Sequence, residues 1–107
     1  MNMKNFAMGN NGQMANLMKQ AEAMQKQLEK TKAELAETAV EATVGGGMVT
    51  ASMSGAYELL DLHIKPEAVD PDDVETTEDL VIAVINECLR QVTELRNEKL
   101  PLWKFET

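Results

Sequence analysis

Residues 38–55 read Thr38-Ala39-Val40-Glu41-Ala42-Thr43-Val44-Gly45-Gly46-Gly47-Met48-Val49-Thr50-Ala51-Ser52-Met53-Ser54-Gly55. The first seven alternate, with Val40, Ala42 and Val44 on one face and Ala39, Glu41 and Thr43 on the other, the pattern of a strand with one buried side. Gly45-Gly46-Gly47 interrupts it, and Met48 to Ser54 resumes in extended, β-branched style. Ser54-Gly55-Ala56 is a second turn signal, after which Tyr57 to Ile64 places Leu60, Leu62 and Ile64 on one face. Pro66 stops this third run, because it lacks an amide donor and restricts Lys65. Three short strands joined by glycine-containing turns predict an antiparallel meander. The triplet is not a phosphate cradle, since a P-loop needs Lys-Ser/Thr opening a helix where Met48-Val49-Thr50 opens a strand.

Upstream, Gln13 to Glu37 is helical in pattern. Met14, Ala21, Leu28 and Leu35 recur every seven residues, and Leu17, Met24 and Thr31 fall three after the first three, giving an a/d seam. The intervening Lys, Gln, Glu and Ala are good helix formers. About 25 residues give a helix near 37 Å long, whereas a domain of this size has a radius of gyration of about 13 Å. The seam therefore requires a partner, and a second copy supplies one. Met14, Leu17, Ala21, Met24, Leu28 and Leu35 are the expected dimer interface. Residues 1–12, rich in Asn, Gly and Met, read as a flexible N-terminal arm, residues 13–99 as a single domain and residues 100–107 as a tail.

Downstream, Asp70-Pro71-Asp72-Asp73-Val74-Glu75 reads as a short helical turn capped by Asp70, with Pro71 at the first position and acids at the positive end of the dipole. A longer helix is expected from Thr77 to Lys99, with Val81, Val84, Ile85, Cys88, Val92 and Leu95 on one side and Leu80 and Leu89 widening that face. Pro101 ends it. The tail holds Trp103 and Phe105, two of the four aromatics in the chain. The expected fold class is α+β: long N-terminal helix, three-stranded antiparallel meander, short helical turn, long C-terminal helix.

Composition narrows the function. The chain has 107 residues, 44% of them apolar, with one cysteine, one histidine and a formal charge of −8. One domain is expected. No apolar run approaches a membrane span, and the N-terminus has no secretory pattern, so a cytoplasmic protein is expected. Cys88 sits among Val84, Ile85 and Val92 and reads as a buried thiol; His63 reads as a surface imidazole. Asp70, Asp72 and Asp73 lack the glycine and distal glutamate of a calcium loop. No metal, cofactor, catalytic residue or small-molecule substrate is expected. The charge is uneven: Lys4, Lys19, Lys26, Lys30 and Lys32 balance Glu22, Glu29, Glu34, Glu37 and Glu41, so residues 55–107 carry the entire excess of acid. An acidic chain argues against nucleic acid, but Lys19, Lys26 and Lys30 form one stripe facing away from the seam. Taken alone, such a stripe is more commonly a solvated face, partly offset by Glu22–Lys26 and Lys30–Glu34 pairs.

The sequence as a whole resembles the YbaB/EbfC family of bacterial nucleoid-associated proteins from about Met14 to Lys99. The resemblance rests on Leu17-Met18-Lys19-Gln20-Ala21-Glu22-Ala23-Met24-Gln25, on Val44-Gly45-Gly46-Gly47-Met48-Val49, on Ile64-Lys65-Pro66-Glu67-Ala68, on Asp70-Pro71-Asp72-Asp73-Val74-Glu75 and on Glu78-Asp79-Leu80-Val81. It implies a tweezer-like homodimer that binds duplex DNA without enzymatic activity and serves nucleoid organisation or gene regulation. It also implies DNA contact through basic residues of the first and last helices: Lys19, Lys26, Lys30 and Lys32, with Arg90, Arg96 and Lys99. The alternative is a dimeric protein–protein adaptor with a further protein partner and weak or no DNA binding.

Overall fold

The computed structural model describes residues 3–100, with side chains from Gly12 onward. The elements are α1 (Met3–Glu37), β1 (Ala39–Val44), β2 (Val49–Ser54), β3 (Leu59–Ile64), a 3₁₀ turn (Pro66–Ala68) and α2 (Val74–Lys99). The chain divides into two compact units between Lys30 and Thr31.

In the first unit the backbone is helical from Met3, well ahead of the expected start at Gln13. The added stretch contains no proline, and extending an existing helix gains one hydrogen bond per residue fixed, so low-propensity Asn and Gly residues can be carried along. Along the seam Met14, Leu17 and Met24 are 57%, 61% and 62% exposed, and only Leu28 is half-buried.

The second unit holds the sheet, in the order β1-β2-β3, with both neighbouring pairs antiparallel. Central β2 presents Val49, Ala51 and Met53, β1 adds Ala42, and α2 closes the core with Val84, Cys88 and Val92, which repeat every four residues on one helical face. The Cys88 thiol is fully buried and donates to the Ala51 carbonyl at 3.6 Å. Burial also pushes its pKa up. Partly buried Val40, Val44, Ile64, Leu80 and Ile85 surround this centre.

The glycine triplet forms the β1–β2 turn, with φ of +64°, +65° and +93° at Gly45, Gly46 and Gly47, a left-handed run that side chains resist. Gly55 is needed for a different reason. A Cβ there would lie 2.3 Å from the Leu35 carbonyl oxygen, so this glycine lets the β2–β3 turn press against the end of α1.

Two boundaries differ from expectation. The short helical turn lies at Pro66–Ala68, with Pro66 at its start, while Val74–Thr76 belong to α2. Asp73 caps α2, accepting from the Thr76 amide at 3.3 Å and its hydroxyl at 2.6 Å. Asp70 instead accepts from the Asp72 amide at 2.9 Å, a side-chain turn that delivers the chain to the cap. In β3 a bulge opposite Ser52/Met53 pairs Met53 with Leu59 and leaves Leu60 between pairs. Leu62 and Ile64 share the core face with Ala51 and Val49 as expected, but Leu60 does not follow their alternation. Because α2 packs across β1 and β2, Leu59, Leu60 and Leu62 stay 43%, 53% and 38% exposed.

Cys88→Ala should cost about 1 kcal/mol in urea unfolding, the loss of one buried atom, and the native thiol should alkylate only as fast as the protein opens. Gly55→Ala should cost more, about 1–3 kcal/mol, because the added methyl meets backbone rather than a mobile side chain.

Candidate nucleic-acid interface

Lys19, Lys26 and Lys30 project from α1 at positions separated by seven and four residues. At about 100° per residue they fall within an arc of about 40° and span about 16 Å of helix. All three are exposed, and among the described residues none of them forms an ion pair. They form one exposed line of ammonium groups along the helix. Lys32 is also exposed but lies about 160° around the helix from Lys30, on a different face.

The two arginines of α2 are engaged within the chain. Arg90 donates through Nε to Glu87 Oε2 at 3.0 Å and through Nη1 to Glu94 Oε1 at 2.7 Å, with a further bond from Nη2 to Glu87. The hydrogen bonds from Arg90, followed by one from Gln91, hold the Glu87 carboxyl at about 2, below its ordinary 4.5. The two acids leave this group with a net charge of −1. Arg96 reaches across to the β2–β3 turn, donating through Nη1 to the Gly55 carbonyl at 2.8 Å, with its guanidinium 5.4 Å from the Tyr57 ring centroid. Tyr57 sits at φ 63°, a costly backbone position for a bulky residue, and its hydroxyl also meets Thr93 Oγ1 at 2.7 Å. Arg96 and Thr93 thus hold a strained turn. Lys99 is exposed at the end of α2.

Of the expected dimer residues, Met14, Leu17, Ala21 and Met24 are exposed and Leu28 is half-buried, whereas Leu35 is 3% exposed and taken up by the chain's own fold. The structure adds an apolar surface that the sequence did not single out. Thr93 and Arg96 mark the flank of α2 that meets the β2–β3 turn, and Leu89 lies one turn before Thr93 on that flank. Ile82 and Ile85 continue the row at helical spacing; Ile82 is 57% and Leu89 36% exposed. With Leu59 and Leu62 of β3 they leave apolar area without a cover. Adjacent Leu59-Leu60 and the i,i+7 spacing of Ile82 and Leu89 were the available signals. Among the described residues no cluster of three His, Cys, Asp or Glu could hold a metal, and no helix is long and apolar enough to cross a membrane.

The Glu87 carboxyl makes stability pH-dependent in a defined direction. Its folded pKa is depressed, so its contribution is complete above about 4.5 and is lost as pH falls toward about 2. The urea midpoints of wild type and Glu87→Gln should differ at neutral pH and converge in strong acid. A constant difference across that window would contradict the Arg90 pairing.

Comparison with known proteins follows the same lines. Residues 9–101 match the YbaB/EbfC DNA-binding family. A nucleoid-associated protein of Alkaliphilus metalliredigens is 46% identical over 93 residues, covering 87% of this chain and 82% of that one. One from a Thermoanaerobacter species is 51% identical over 80 residues, covering 75% and 72%. The crystal structure of an uncharacterised Helicobacter pylori protein superposes with a TM-score of 0.69 at 27% identity, covering 77% of this chain and 86% of that one. The two long helices, the three-stranded meander between them and the match across most of the sequence agree: the chain belongs to the YbaB/EbfC DNA-binding family.

Proposed function

We propose that the protein is a non-enzymatic, nucleoid-associated protein that binds duplex DNA as a homodimer, mainly through phosphate contacts, and serves nucleoid organisation or gene regulation. The observation that carries this reading is the exposed line of Lys19, Lys26 and Lys30 on α1. Three solvated ammonium groups on one helical face suit phosphates, which position a protein on DNA without reading its sequence. Lys32 adds charge from another side of the same helix. Arg90, Arg96 and Lys99 are secondary contributors, because Arg90 must loosen from Glu87 and Glu94, and Arg96 from Gly55 and Tyr57, before either meets a phosphate.

The homodimer is supported by surplus apolar surface. Met14, Leu17, Ala21, Met24 and Leu28 offer a seam on α1, and Leu59, Leu62, Ile82 and Leu89 offer a second face beside an unpaired β3 edge. Surfaces of this kind on a small chain call for a partner, and a second copy doubles the lysine line without adding another component. Doubling matters because the chain carries a formal charge of −8, which repels duplex everywhere else. Binding is therefore modest at physiological salt, at the nucleoid within the cytoplasm. The same exposed apolar faces favour the adaptor reading as the second one, in which they dock another protein and the lysines are only solvated.

Lys19→Glu with Lys26→Glu should weaken binding to every duplex about equally and lower the salt slope by about 4 per dimer, one for each lysine removed. Undiminished affinity of that variant, folded and dimeric by circular dichroism and sedimentation, would transfer the function to the adaptor reading. Leu62→Asp with Leu89→Asp should convert the dimer to a folded monomer at micromolar concentration, and Leu17→Asp should weaken it. A wild type that sediments as a monomer at that concentration would contradict the dimer outright.

A further inference from the structure

Within the second compact unit the β2–β3 turn is tied to both long helices. Toward α1, the Gly55 amide donates to the Thr38 carbonyl at 2.8 Å, and the Thr38 amide donates to the Leu35 carbonyl at 3.1 Å. The Thr38 hydroxyl donates to the Glu34 carbonyl at 2.8 Å, so Thr38 closes the last turn of α1. Toward α2, the Gly55 carbonyl accepts from Arg96 Nη1, the Tyr57 ring faces the same guanidinium and the Tyr57 hydroxyl meets Thr93. Inside the turn the buried Ser54 hydroxyl accepts from the Ala56 and Glu58 amides at 3.1 and 3.2 Å. Arg96 itself is half-buried, with its Nε shielded from solvent. One glycine thus joins the two helices: its carbonyl is held from α2 and its amide holds the end of α1.

We propose that Arg96 is a positioning residue for the DNA site, fixing the β2–β3 turn against the last turn of α1 and adding to DNA binding through that placement, without a phosphate contact of its own. The inference rests on the lysine line of α1 being the DNA site. The surroundings of Arg96 set it apart from a phosphate-binding arginine. Its planar fork and its flat face are both in use, one on the Gly55 carbonyl and the other toward the Tyr57 ring, and a phosphate would have to displace both. The turn it holds is also strained, with Tyr57 at φ 63°, and such a backbone persists only where its surroundings over-determine it. Gly55 carries the hold across to α1. It sits so close to Leu35 that a Cβ would fall 2.3 Å from the Leu35 carbonyl oxygen, so the turn cannot shift without moving or releasing the last turn of α1. Lys19, Lys26 and Lys30 stand on that same continuous helix. A helix fixed at its end gives up less freedom when its lysines meet a duplex than one whose end drifts, and the difference appears as affinity.

Binding of the full-length protein to one duplex across a range of salt separates position from contact. Arg96→Gln removes the charge and shortens the reach to Gly55. It should lower affinity several-fold at every salt while keeping the wild-type salt slope. Tyr57→Gly removes the ring that faces the guanidinium, leaves the net charge unchanged and suits the φ of 63°. It should give the same parallel loss, and it decides alone should Arg96→Gln unfold. In both variants, folded and dimeric by circular dichroism and sedimentation, the Gly55 amide should exchange with deuterium faster than in wild type, which reads the anchor without DNA. A slope shallower by about 2 per dimer in Arg96→Gln, one for each arginine removed, would make Arg96 a phosphate contact and overturn the proposal. Unchanged affinity in the folded variants, or Gly55 exchange at the wild-type rate, overturns it too and leaves the lysine line standing. Wild type that binds no duplex even at low salt overturns the lysine line, and this positioning role with it.

Discussion

Val84, Cys88 and Val92 lie along one row of α2 and press against Ala42, Val49 and Ala51, and the rest of the fold is arranged around that contact. Each fully buried valine contributes about 1.5–3 kcal/mol by leaving water, and small residues on the strands let the helix approach closely enough for the Cys88 thiol to reach the Ala51 carbonyl. The contact also settles what remains uncovered. One helix can lie over two strands, so β1 and β2 are roofed and β3 is not. The exposed leucines of β3 and the apolar flank of α2 are thus consequences of a core built from a single helix.

The same placement determines which cations are spent inside the molecule. Orienting the core row inward puts Arg90 among Glu87 and Glu94 and carries Arg96 over the β2–β3 turn, where it offsets the strain at Tyr57. Among the described residues, Lys19, Lys26, Lys30 and Lys32 of α1 form no ion pair. In a chain with this excess of acid, the proposed function draws its phosphate contacts chiefly from the exposed lysine line of α1.

Much of the fold was legible because its signals are local. Alternation at Val40-Ala42-Val44, left-handed glycines at the first turn and four-residue spacing along Val84-Cys88-Val92 each specify structure within a few residues. The start of α1 was less legible, since helix propagation overrides the poor propensity of Asn and Gly. The bulge at Leu60 was hidden because strand alternation assumes regular pairing. Of the candidate interface, the lysine line could be read from helical periodicity. The engagement of Arg96 with Gly55 could not, because the two lie 41 residues apart and nothing near either one announces the other. Leu35 was assigned to the seam by its heptad position, yet the close approach of Gly55 folds it into the core.

Under the function proposed above, this acidic protein meets DNA through a few phosphate contacts from α1. Affinity of the wild type for two duplexes of unrelated sequence, measured across a range of salt, tests it most directly. Three lysines per protomer in a dimer correspond to about six phosphates, so the logarithm of the binding constant should fall with that of salt at a slope of about −5, alike for both duplexes. Strong preference for one sequence, a flat salt dependence, or no binding even at low salt would contradict the account.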